Sequence, residues 1–156
     1  MDTPASPPSN ERLTGGCQCG AVRFAVEQGF GRASICHCRM CQKAFGNAFG
    51  PLVTAKGLVW TRGAPKYFRS SNKVRRGFCG DCGTPLSYEP DGLRPEIAIC
   101  ALDDPSKVPP VIQVGTESRL PWFAALASLP GRSDDELARV EPFYRGIVSN
   151  QHPDHE

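Results

Sequence analysis

At 156 residues, 40 % of them apolar and with a formal charge of +2, the chain suits one domain with a modest core and is too apolar for disorder throughout. So small a net charge gives no support to a nucleic-acid partner, and no apolar run reaches the roughly 18 residues needed to span a membrane. Gly 16 and Pro 15 favour short elements joined by turns over long helices.

Residues 1–12 are rich in Pro and Ser and lack the basic start and apolar stretch of a secretory signal, so they read as a disordered N-terminal tail. A chain without an export signal is expected in the cytoplasm. There, cysteines serve metal binding or catalysis rather than disulfides. From residue 21 the strand signals are frequent. Residues 21–26 alternate, with Val22, Phe24 and Val26 on one face, and further short runs follow at 33–35, 52–54, 58–61, 66–69, 75–78, 86–88, 96–101 and 111–114. Turn formers such as Lys56-Gly57, Arg62-Gly63, Ser71-Asn72 and Pro90-Asp91-Gly92 separate them. The expected fold is therefore mainly β, several short antiparallel strands with little helix. One helical turn is expected over 41–45. A capping box, Ser133 with Glu136, opens a second helix over 134–140 that Pro142 should end. Residues 149–156, with His152 and His155, read as a solvated, mobile tail.

Seven of the eight cysteines fall in three groups: Cys17 and Cys19; Cys36, Cys38 and Cys41; Cys79 and Cys82. Zinc favours soft thiolates in a tetrahedron, with Zn–S near roughly 2.3 Å. A C-x-x-C turn relaxed by glycines offers two sulfurs to one ion, and a C-x-C pair on extended backbone places both on one face. Seven ligands divide naturally into four and three. Cys17, Cys19, Cys79 and Cys82 would close a structural site, while Cys36, Cys38 and Cys41 would leave a second ion with one position open, the arrangement of a catalytic centre. A competing grouping joins Cys38 and Cys41 to Cys79 and Cys82 as a zinc ribbon, and spacing does not exclude it. Cys100 ends an apolar run and reads as a small buried hydrophobe. His37, between two ligands, should point away from the ion they share and serve as a supporting or surface residue.

Three thiolates more than neutralise a zinc dication, so the open site would be a poor Lewis acid for hydrolysis but well suited to receiving another thiolate. The chemistry that follows is thiol handling, with an incoming thiol held deprotonated for attack on a carbonyl or for the reverse cleavage. A thiol carrying carboxylates, such as glutathione, needs cations, and Arg39, Lys43, Lys73, Arg75 and Arg76 lie beside the cysteine groups.

Three stretches, 16–20, 36–42 and 76–86, resemble the glutathione-dependent formaldehyde-activating enzyme family, to which centromere protein V also belongs. The segments Leu102-Asp103-Asp104-Pro105 and Glu117-Ser118-Arg119-Leu120-Pro121-Trp122 are similar as well. The likeness covers about residues 13–130, leaving 131–156 as a helix and tail. It implies a β-tent-like zinc domain, the four-plus-three division of the cysteines into structural and catalytic zinc, and a carbon–sulfur lyase acting on the adduct of glutathione and formaldehyde. The chain departs from the family at Gln113, where many members carry histidine. Gln hydrogen-bonds but does not exchange a proton near pH 7. Asp103 and Asp104 read as turn residues, Trp122 as core, and Glu117 as a surface carboxylate. The alternatives are a non-catalytic zinc-stabilised binding module and a redox or zinc-buffering protein.

Overall fold

The computed structural model describes residues 11–155. Ten strands are present among them: β1 Leu13–Gly16, β2 Arg23–Val26, β3 Phe30–Cys36, β4 Gly50–Ala55, β5 Leu58–Arg62, β6 Lys66–Arg69, β7 Val74–Phe78, β8 Pro85–Pro90, β9 Glu96–Ala98 and β10 Ile112–Val114. They form a three-stranded sheet, β1-β2-β5, and a seven-stranded sheet, β10-β3-β4-β9-β8-β7-β6. The mainly β architecture is as the strand signals require. Every pairing is antiparallel except β10 with β3, which run parallel with Val114 opposite Cys36. That parallel pairing brings the end of β10 against the first sulfur of the Cys36 group.

The core cluster holds Phe24, Val26, Val53, Leu86, Ile97 and Val108, all fully buried and drawn from both sheets and the segment after β9. Trp60 on β5 meets Phe24 edge-on, with ring centroids 5.8 Å apart. Strand β2 carries an alternating sequence yet is buried at all four positions, Arg23 included. The reason is an ion pair. Arg23 Nη1 and Nη2 donate to the two carboxylate oxygens of Asp103 at 2.8 and 2.6 Å, and Thr14 Oγ1 on β1 donates to Asp103 at 2.5 Å. Asp103 is thus the buried tie between the small sheet and the segment after β9, not the simple turn residue expected of it. Asp104 does fill that lesser role, its side chain accepting from Ser106 N.

Several local expectations need correction. Strand β1 carries no strand signal in its sequence, because Leu-Thr-Gly-Gly has no β-branched run, and the expected strand over 96–101 divides into β9 and a 3₁₀ turn, Ile99–Ala101. That turn rotates Cys100 outward to an exposed position, against the buried role expected. Trp122 lies on an unforeseen 3₁₀ segment, Pro121–Ser128, and is 53 % exposed rather than in the core. Two α-helices are present among the described residues, α1 Arg39–Phe45 and α2 Asp134–Arg145. The Ser133–Glu136 capping box opens α2, but Pro142 lies inside the helix instead of ending it. The ring removes one N–H, and along an exposed helix water can meet the carbonyl left over. The expected N-terminal tail lies outside the described residues except for Glu11 and Arg12, which pair with Lys107 at 2.6 Å and Glu27 at 3.1 Å. At the other end His152 N donates to Gln18 O at 2.7 Å, bringing the C-terminal segment back to the first cysteine turn. No helix among the described residues is long and apolar enough to cross a membrane.

Candidate metal centres and the adjoining cavity

The eight cysteines are free thiols, and seven of them gather into two sets. In each set one sulfur per residue lies within 4.8 Å of every other: Cys17, Cys19, Cys79 and Cys82 in one, and Cys36, Cys38 and Cys41 in the other. The chain therefore does not adopt the ribbon grouping of Cys38 and Cys41 with Cys79 and Cys82.

The four-sulfur set joins two turns. After β1, Cys17 N donates to Val22 O at 2.9 Å and Gly20 N to Cys17 O at 3.1 Å, closing a loop whose Val22 amide also donates to Cys17 Sγ at 3.2 Å. After β7, Gly83 N donates to Cys79 O at 3.0 Å, and Gly83 takes φ +77°, a left-handed conformation that favours glycine. Thr84 links the turns. Its Oγ1 accepts from Gln18 N at 3.0 Å and lies within hydrogen-bond distance of Cys82 Sγ, 3.1 Å away.

The three-sulfur set is built at the end of β3. Cys36 closes the strand, and Cys38 caps α1 with its sulfur, which accepts from Cys41 N at 3.4 Å. Cys41 then lies one turn into the helix. Gln42 is buried and pins this loop, donating from Nε2 to His37 O at 2.8 Å and to Ser118 O at 3.0 Å. His37 turns away from the sulfur pair, as an alternating backbone requires, but it is fully buried rather than on the surface. Its ring meets Phe123 and Phe49 edge-on at 4.6 and 6.1 Å. Its Nε2 lies 2.9 Å from Gln113 Oε1 on β10, so the Nε2–H tautomer donates to the residue that departs from the family pattern. Nδ1 is buried with no hydrogen-bond partner among the described residues.

The thiol chemistry of both sets asks for a cation. Burial pushes the Cys36 thiol up to about 12, against a hydrogen bond from the Cys38 amide, and the adjacent Cys38 and Cys41 sulfurs add to the rise. Burial also raises Cys41, opposed by the Arg76 guanidinium. Burial acts upward on Cys38 too, but the amides of Cys41 and Met40 and the neighbouring sulfurs outweigh it, and Cys38 falls below an ordinary thiol. In the other set, the Thr84 hydroxyl and amide overcome the effect of burial and bring Cys82 down to about 6. The Ala21 amide pulls Cys19 down, yet desolvation and the crowding sulfurs of Cys17, Cys82 and Cys79 win and push it up to about 12. Each set thus has one sulfur that ionises readily, Cys82 or Cys38, beside two that resist, Cys19 and Cys79 in one set and Cys36 and Cys41 in the other, because further thiolates would face the first at close range. A divalent soft metal removes that conflict by replacing the protons. The donor sets fit zinc, four sulfurs in one and three in the other.

Between α1 and the β6–β7 ribbon lies a cavity of about 400 Å³ lined by Arg39, Met40, Lys43, Ala44, Phe68, Ser70 and Arg76; no cysteine lines it, and Arg76, which donates to Cys41 Sγ at 3.4 Å, connects its wall to the three-sulfur set. Three of the five cations picked out in the sequence are therefore here. Arg75 instead pairs with Glu89 at 2.7 Å and lines a different depression, and Lys73 lines neither. Glu117 is exposed on the 3₁₀ turn Thr116–Ser118. Phe68 and Ser70 escape sequence reasoning, since β6 is distant in the chain from the cysteines it adjoins.

A family model described as glutathione-dependent formaldehyde-activating enzyme matches residues 12–118, a span that contains all seven clustered cysteines. The crystal structure of a Rhodobacter sphaeroides protein is similar in fold, with a TM-score of 0.52 and 23 % identity, covering 65 % of this chain and 100 % of that one. On the family match, which takes in more than half of its length, this chain belongs to the glutathione-dependent formaldehyde-activating enzyme family.

Proposed function

We propose that the protein is a zinc-dependent carbon–sulfur lyase that makes and breaks the adduct of glutathione, or a similar small thiol, with formaldehyde or another small carbonyl. The observation that carries this reading is that Arg76 joins a set of only three sulfurs, Cys36, Cys38 and Cys41, to a cationic cavity wide enough for a small molecule, donating to Cys41 Sγ at 3.4 Å while lining that cavity. In this reading Cys17, Cys19, Cys79 and Cys82 hold a structural ion and the three-sulfur set holds the catalytic one. Zinc bound there would supply a soft cation with room for one further ligand, which keeps an incoming thiol ionised. Within the chain, Arg39, Lys43 and Arg76 receive the carboxylates of the thiol, and Met40, Ala44 and Phe68 supply the apolar wall. In the forward direction a sulfur–carbon bond forms, the carbonyl π pair moves to oxygen, and that oxygen takes up the proton the thiol has lost. Gln42 and the His37–Gln113 pair hold the cysteine loop while this occurs.

Calorimetry with the zinc-loaded protein tests the reading, together with an activity screen over thiol–aldehyde adducts. A thiol should bind with one site per chain, and Cys36→Ser should abolish both binding and turnover. Failure of the zinc-loaded protein to bind any low-molecular-weight thiol would refute it.

A further inference from the structure

Arg76 on β7 is a buried cation, 7 % exposed, that makes no ion pair with a carboxylate among the described residues. Its Nη2 donates to Cys41 Sγ at 3.4 Å and its Nε to Ser70 Oγ at 3.2 Å. The guanidinium carbon sits 4.9 Å from the ring centroid of Tyr88, its directly opposite neighbour on β8. Strand pairing, a hydroxyl and an aromatic face thus fix it from three directions, and it also forms part of the cavity wall. Burying a guanidinium costs several kilocalories per mole unless an anion meets it. With zinc held by the three sulfurs, the Cys41 thiolate would be that anion.

Charge counting shows what this achieves. Three thiolates with a divalent metal carry one net negative charge, and a fourth thiolate would make it two. A fixed arginine at one of the sulfurs lowers each figure by one. Resting on the proposed function above, we infer that Arg76 is the positioning residue that makes the three-sulfur centre receptive to an anionic fourth sulfur, by balancing its charge from the Cys41 side. Lysine would keep the charge but not the simultaneous contacts to Cys41, Ser70 and the Tyr88 face, which need a planar fork. The site therefore selects its ligand as a thiolate, not as a neutral alcohol or amine.

The test uses the full zinc-loaded chain and 2-mercaptoethanol, a probe without carboxylates, so that loss of affinity cannot come from carboxylate recognition in the cavity. Arg76→Gln should weaken binding of the probe at least tenfold, about 1.4 kcal/mol, and Arg76→Lys should recover part of it. Arg76→Met fills the same buried space without charge and serves where the Gln variant does not fold. A packing role predicts that Met binds better than Lys, and charge balance predicts the reverse. Binding by Arg76→Met within twofold of the unaltered protein overturns the inference, as does Met surpassing Lys. If the unaltered protein binds no thiol, the proposed function itself fails. Chelator competition for the second zinc ion then judges Arg76 separately: a tenfold loss of retention in Arg76→Met supports its charge-balancing part, and equal retention overturns it.

Discussion

Replacing Asp103 by Asn is the sharpest test of how the small sheet is held to the rest of the molecule. Asp103 meets Arg23 through two charge-assisted bonds of 2.8 and 2.6 Å, and the side chains are 12 % and 2 % exposed. Removing one partner of a buried pair costs roughly 3–5 kcal/mol. Asn keeps a hydrogen-bonding group against Thr14 and Arg23, so the lower end, about 3 kcal/mol, is expected. For a domain of this size that lowers Tm by roughly 6–12 °C. The same pair sets a pH dependence. Burial raises the Asp103 carboxyl, but the hydrogen bonds and charge of Arg23, with the Thr14 hydroxyl, outweigh it and hold the carboxyl below its ordinary value of 3.8. A depressed carboxyl stabilises the fold fully above the unfolded value, and the contribution is lost as pH falls through the folded one. The stability gap between the unaltered protein and Asp103→Asn should therefore be constant from neutral pH down to about pH 5 and shrink below about pH 4. Urea unfolding followed by tryptophan fluorescence measures this, and taking the difference of the two proteins cancels acid release of metal. A gap under about 1 kcal/mol at pH 7, or one that grows in acid, would refute the assignment of this pair as a buried tie.

The two cysteine sets should respond differently to loss of one sulfur. Cys79→Ser removes a ligand from the set that joins the turns after β1 and β7, and should lower stability by several kcal/mol, a fraction of the roughly 10–16 kcal/mol of a structural zinc. Cys36→Ser should leave Tm within about 4 °C, near 1 kcal/mol, while metal analysis falls from two ions per chain towards one. Similar losses of Tm in both variants would count against the division into structural and open centres. Gly115 takes φ +64°, and a Cβ there would lie 2.9 Å from Cys38 N. Gly115→Ala should thus lower stability by at least about 1–2 kcal/mol and loosen zinc at the Cys36 set, which chemical denaturation and chelator competition would show.

What the chain displays locally and what it hides differ in physical kind. The alternation Val22, Phe24, Val26 marks a strand because burial on a pleated surface repeats every second residue, and that strand is present. The burial of Arg23 on the same strand is not readable there, because its cause, Asp103, lies 80 residues away. The cysteine spacings show which sulfurs come as pairs. Which pairs meet depends on the turns after β1 and β7 coming together, which no local pattern states; the count of seven ligands favoured the four-plus-three division without excluding a ribbon, and the resemblance to a family implied the same division. Cys100 misleads for the opposite reason. Its apolar neighbours suggest burial, but the strand breaks into a 3₁₀ turn after Ala98 and changes the side chain's direction.

The least readable part is also the part to which the proposed function assigns the substrate. The Cys36 set is assembled within six residues, but its surroundings come from three distant places. Val114, opposite Cys36 on β10, accepts from His37 N, and Gly115 just after it closes on Cys38. Arg76 reaches Cys41 from β7, and Phe68 and Ser70 arrive on and just after β6. A C-x-C-x-x-C segment can gather three sulfurs in many folds. Only the register of the long sheet, with Phe68 opposite Arg76 and Arg76 opposite Tyr88, puts a fixed cation against Cys41 and an apolar cavity wall beside that cation. Substrate choice within the family should therefore follow substitutions along that row and at Gln113, which can change while every cysteine stays in place.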